Sequence, residues 1–118
     1  MSKSGAPALS LALGVYTMAP RVQLQALFIE LLGSNNVYFQ PPPNLQMKYP
    51  CIVYKRDDQR IRSANNKPYS HRTRYQVTVI DQNPDSVIPS KIAELPLCVF
   101  DRFYTAENLN HDVYNIFF

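Results

Sequence analysis

Glycine is scarce in this chain of 118 residues: Gly5, Gly14 and Gly33 are the only three, and no two lie close together. A phosphate-cradling loop needs clustered glycines so that backbone N–H groups can approach the ligand, and a G-x-S-x-G nucleophile turn needs a spaced pair. Neither can be built here. Histidine is scarcer still, and His71 and His111 each lack a second His or Cys at metal-ligand spacing. No run approaches the ~18 apolar residues of a membrane-spanning helix, so no membrane contact is expected. Before Met18 a single charge, Lys3, precedes the short apolar run at 9–16, and Pro7 and Ser10 interrupt the segment. That pattern does not meet the criteria for a secretory signal. The two cysteines, Cys51 and Cys98, sit in apolar runs that read as strands. Reduced core thiols fit that setting. A disulfide stays open, because sequence does not give the Cα separation that a bridge requires.

What is present describes a globular chain. Hydrophobic residues make up 46% and charged residues 18%, which excludes a disordered segment and predicts one domain with one modest core. Aromatics are plentiful, with 8 Tyr and 6 Phe but no Trp. Tyrosine joins apolar area to a polar tip and suits interfaces. The net charge of +3 is too mild to decide for a nucleic-acid partner.

Residues 1–19 are small and apolar with few charges, and they read as a flexible N-terminal arm ahead of a single domain at 20–118. Pro20 opens a helix at 20–33, since proline is preorganised for the first helical position. Leu24, Leu27, Phe28 and Leu31 then form one apolar stripe, and Gly33 ends the helix. A short extended piece at 37–40 runs into Pro41, Pro42 and Pro43, an extended connector. A strand is expected at 51–55, opened by Pro50, and a second at 72–81, where Tyr75, Val77 and Val79 alternate with polar residues. The polar stretch 57–71 between them reads as a long hairpin tip centred on Asn65 and Asn66. A second helix starts at Asn83-Pro84-Asp85, buries Ile88, Ile92 and Leu95, and stops at Pro96. Strands at 97–104 and 111–118 close the chain. The last is apolar on both faces, as in a central strand or one that meets another subunit. The expected fold is α+β: a mainly antiparallel sheet with two helices packed on one face, a long basic β-hairpin and the N-terminal arm.

Candidate chemistry is thin. His111 and Asp112 are adjacent on a strand and point to opposite faces. Cys51 has Lys55 and Arg56 nearby in sequence but sits in an apolar run, unlike a reactive thiolate. Asp57-Asp58 lacks the further oxygen ligands that a divalent cation needs. No catalytic residue, metal or cofactor is therefore expected. The uneven feature is charge. Lys55, Arg56, Arg60, Arg62, Lys67, Arg72 and Arg74 place seven of the 12 basic residues within 20 positions, opposed only by Asp57 and Asp58. Such a segment is either a solvated hairpin whose charges guard an edge or a contact surface for an acidic protein or for phosphate.

Four blocks stand out together: Tyr49-Pro50-Cys51-Ile52-Val53-Tyr54, Arg74-Tyr75-Gln76-Val77-Thr78-Val79-Ile80-Asp81, Pro96-Leu97-Cys98, and Leu109-Asn110-His111-Asp112-Val113-Tyr114. In order and spacing this pattern resembles the small tail-completion and tail-terminator proteins of long-tailed bacteriophages, over residues ~20 to 118. The resemblance implies a non-enzymatic virion protein without a cofactor, made in the host cytoplasm. It implies a homo-hexameric ring that terminates or completes the tail tube and joins it to the head connector. The implied partners are further copies of the chain, the tube protein and the neck, with genomic DNA passing through the lumen. Contacts are expected from Lys55, Arg56, Arg60, Arg62, Lys67 and Arg72 of the hairpin, from Tyr114 and Phe118 of the last strand, and from the arm. The alternatives are a nucleic-acid-binding module built on the basic hairpin, another tube or neck adaptor, and a small enzyme.

Overall fold

The computed structural model describes residues 19–64 and 67–118, with side chains at all of these except 60–64 and 67–71. The expected arm, Ala19 apart, and the Asn65-Asn66 tip lie outside the described residues. The fold is α+β, with two helices and a mixed five-stranded sheet. In chain order the elements are α1 (Pro20–Leu32), β1 (Val37–Phe39), β2 (Cys51–Ala64), β3 (Lys67–Asp81), α2 (Ile88–Ala93), β4 (Cys98–Ala106) and β5 (Leu109–Phe117), and the sheet order is β1-β2-β3-β5-β4.

Helix α1 forms as its residues dictate. Pro20 occupies the first turn, where its missing N–H costs nothing, and Ala19 O accepts from Val22 N and Gln23 N at 2.9 and 3.2 Å. Gly33 closes the helix at φ 81, and its N–H bonds Ile29 O at 2.9 Å. Leu24 and Phe28 are fully buried, while Leu27 and Leu31 pack at the margin of the same cluster. Helix α2 is shorter than its expected span. Residues 83–87 form side-chain-bonded turns instead: Asp81 Oδ1 accepts from Asn83 N at 3.0 Å, and Asn83 Oδ1 accepts from Asp85 N at 2.9 Å. Asn and Asp offer the backbone a local alternative to the helix.

Two further differences concern strands. The piece at 37–39 is a strand of the sheet, paired parallel to β2 with Val37 opposite Ile52. The sheet is therefore mixed. Of the polar segment expected as a hairpin tip, residues 57–64 and 67–71 are strand, with β2 and β3 paired out to Ala64 opposite Lys67. Periodicity could not reveal it, since neither face there is apolar. The β4–β5 connection is a two-residue turn, with Glu107 and Asn108 at φ 55 and 65, the backbone of a type I′ hairpin. The Tyr49-Pro50 peptide is cis.

The register sets the core. Ile52 and Tyr54 of β2, Tyr75, Val77 and Val79 of β3, and Tyr114 and Ile116 of β5 share one face, and both helices cover it through Leu24, Phe28, Ile88 and Ile92. Cys51, Ile80 and Leu109 form a smaller cluster on the other face, against Tyr38, Met47 and Val53. Tyr54 is the joint between layers. Its ring meets Phe28 at 5.2 Å, Phe39 at 5.0 Å and Tyr75 at 6.0 Å. Its hydroxyl donates to Gln25 Oε1 and accepts from Arg21 Nη1 at 3.3 Å, while Gln25 Nε2 donates to Val37 O at 3.1 Å.

Replacing Tyr54 with Phe leaves Gln25 and Arg21 short of a partner and is expected to cost about 1–2 kcal/mol. Tyr54→Ala opens a cavity and costs about 3–5 kcal/mol. Urea unfolding monitored by circular dichroism checks both, with the slope held constant.

Candidate assembly surfaces

The residues singled out in the sequence fall into three places. The first is the long β2–β3 ribbon. β5 pairs with β3 only over Arg74–Asp81, so residues 67–73 of β3 have β2 as their one strand partner among the described residues. Lys55, Arg56 and Arg72 are exposed. Lys55 and Arg56 lie on opposite faces, by register with Gln76 and Tyr75. The side chains of Arg60, Arg62 and Lys67 lie outside the described residues, as does that of His71. In the backbone register Arg60 stands opposite Arg72, and Arg62 opposite Ser70.

The acidic pair has a partner at the base of this ribbon. Asp57 is the extra residue of a bulge between Arg56 and Asp58. Arg74 grips it with two bonds, Nε to Oδ1 at 2.8 Å and Nη2 to Oδ2 at 3.3 Å, and Asp58 lies 3.9 Å from Nη2. The hydrogen bond to Asp57 holds the Arg74 guanidinium still more firmly in its charged form. Both carboxylates thus face a cation already on the chain. A shallow cleft of about 440 Å³ lies nearby, lined by Val53, Tyr54, Lys55, Arg56, Gln76 and Thr78 among others.

The second place is the last strand, and here one expectation is corrected. Tyr114 is 6% exposed, beneath the helices and edge-on to Phe100 with centroids 5.5 Å apart. It is a core residue because β5 lies between β3 and β4. Phe118 is half-buried against the same core, and its N–H bonds Thr73 O at 3.0 Å.

The third place was not expected. β4 is the outer strand of the sheet, and Val99, Phe100, Phe103 and Tyr104 are exposed along it, with Leu97 just before it. Leu97 holds φ 59, an unusual backbone for a side chain of its size. Tyr104 stacks on His111 at 4.5 Å, and Arg102 lies 5.8 Å over the Tyr104 ring. A sequence signal was available, since the strand holds three aromatics on both of its faces. Edge position was not, because strand order is a property of the whole sheet.

Among the described residues no three His, Cys, Asp or Glu side chains are grouped to hold a metal. His111 Nδ1 lies 3.2 Å from Leu109 O. Burial raises the pKa of Asp112, and its neighbour His111 lowers it only in part. Both cysteines are free, and β3 and β5 separate their strands, so about 14 Å of sheet lies between them. That distance excludes a bridge. Burial, then the charge of Asp81, pushes the Cys51 thiol up to about 12. Cys51 is therefore expected to ignore thiol reagents in the folded protein and to react only at the rate of unfolding, as urea-dependent labelling kinetics will read.

No protein-family model, curated protein or solved structure matches the chain.

Proposed function

We propose that the protein is a structural component of a long-tailed bacteriophage virion. In this reading it assembles as a six-fold ring that terminates or completes the tail tube and joins it to the head connector. The phage assignment rests on the resemblance of the strand blocks around Tyr49, Tyr75 and His111. The assembly part rests on the β2–β3 ribbon. A two-stranded ribbon beyond the reach of a third strand is marginal in water. This one is also rich in like charge, with Arg60, Arg62, Lys67 and Arg72 along it and Arg60 level with Arg72 in the register. A ribbon with those two properties gains stability from an acidic surface laid against it. In a ring, that surface belongs to the neighbouring subunit or to the tube, a head-to-tail contact between two different patches. The finer features, a basic hairpin and an arm that reach partners, belong to this reading.

The same ribbon suits phosphate as well as carboxylate, which keeps nucleic-acid binding as the second reading. One substitution separates the cases. Arg72→Glu reverses the charge of an exposed residue of the ribbon and is expected to change the stability of the isolated protein by less than about 0.5 kcal/mol. It is also expected to lower the fraction of tail tubes capped by rings, counted by negative-stain microscopy after mixing with purified tube protein. A wild-type protein that never caps tubes and stays monomeric at high concentration would sink the ring. Tight DNA binding at low salt, lost steeply as salt rises and abolished in the variant, would favour the second reading.

A further inference from the structure

We propose that β4 is a self-association edge, along which two copies of the chain pair antiparallel about a two-fold axis between Asp101 and Arg102. The contact goes beyond the ring reading and is independent of it. An isologous contact joins two copies and cannot by itself close a head-to-tail ring.

The sheet has two edges. One edge is β1, only three residues long. Its Val37 carbonyl is already taken by Gln25, and three prolines follow at 41–43. That edge is blunted. The other edge is β4, nine residues long, which pairs on one side with β5 and with no other strand among the described residues. Val99, Phe100 and Phe103 are each more than half exposed along it, at 62%, 55% and 55%. A long edge with exposed large apolar side chains is a template for another strand. With β1 blunted, the matching edge on a second copy is β4 itself.

The decisive feature is the bulge. Phe100 stands opposite Tyr114 and Arg102 opposite Val113, so Asp101 is an extra residue in the strand. In a regular strand, residues three apart point to opposite faces. The extra residue shifts this parity. Phe100 and Phe103, opposite Tyr114 and Asp112, now share the helix-covered face, while Val99 and Tyr104, opposite Asn115 and His111, share the other. The strand thereby becomes symmetric in its faces about the 101–102 bond.

A two-fold axis normal to the sheet keeps each face on its own side. It sets Phe100 beside Phe103 of the second copy, Val99 beside Tyr104, and Cys98 beside Thr105. Aromatic–aromatic and aromatic–β-branched neighbours are among the favourable cross-strand pairs. At the axis Asp101 meets Arg102 of the second copy, opposite charges in both directions. The two already pair within one chain at 3.0 Å, and both remain partly exposed. Both strands carry the bulge at the axis, so the register is kept on either side of it. The product is a continuous ten-stranded sheet.

The test uses the full-length chain. Thr105→Cys places a new thiol opposite native Cys98 of the second copy, at about the 4.5–5.5 Å Cα spacing of antiparallel neighbours, which a disulfide spans. Mild oxidation is expected to convert most of the protein to a covalent dimer, and adding Cys98→Ser is expected to abolish that product. Phe103→Lys, at an exposed position that leaves folding intact by circular dichroism, is expected to weaken the wild-type dimer roughly thirtyfold or more in sedimentation equilibrium. A wild-type protein that is monomeric throughout overturns the proposal. So does a dimer that Phe103→Lys leaves unchanged. An oligomer that gives no link between positions 98 and 105 also overturns it, and assigns the contact to residues 1–18 or to another surface. Ring formation on tubes is read separately, so the two readings fail independently.

Discussion

Tyr54 is the constraint on which the architecture depends. A tyrosine ring in a core brings a hydroxyl that must find partners. Here the hydroxyl is shared by Gln25 and Arg21, one helical turn apart on α1, and Gln25 passes the connection on to the Val37 carbonyl of β1. One polar atom therefore fixes the rotation of α1 over the sheet and the seat of the edge strand. The ring below it touches Phe28, Phe39 and Tyr75, one aromatic from each of α1, β1 and β3. Burial raises the Tyr54 pKa more than the Arg21 contact lowers it, so the phenol stays protonated and keeps its donor.

Local patterns made part of this legible. Pro20, the Leu24–Phe28 stripe and Gly33 specify α1 without help from the rest of the chain. The alternation around Tyr75, Val77 and Val79 specifies the middle of β3. What stayed hidden was set by tertiary pairing. β1 has three residues, too few for a period to register, and its strand character comes from lying beside β2. The outer halves of β2 and β3 are polar on both faces, so no apolar alternation marks them. The second helix lost its first turn to Asn83 and Asp81, whose side chains satisfy the backbone locally.

The candidate surfaces divide along the same line. The charge cluster was visible as composition, yet its geometry was not: Arg74 is committed to Asp57, and Arg60 is level with Arg72 in the ladder register. Tyr114 read as a contact because β5 is apolar on both faces, but a strand between two others meets its own domain first. The shape of β4 was hidden for the opposite reason. Nothing in Val99-Phe100-Asp101-Arg102-Phe103-Tyr104 marks a bulge, since no glycine is present, and without the bulge the strand has no symmetry to notice.

The extended β2–β3 pair also has a mechanical meaning. Any load applied at its far end reaches the body along the strand axes. It is then carried by the ladder of β3 with β5, from Arg74 to Asp81, and by the short ladder of β2 with β1. Ladder hydrogen bonds lie across the strands, so such a pull shears many of them at once. A load that peels β4 outward opens its bonds one after another. The root of the ribbon thus resists a pull along the strands, while the opposite edge yields to one across them.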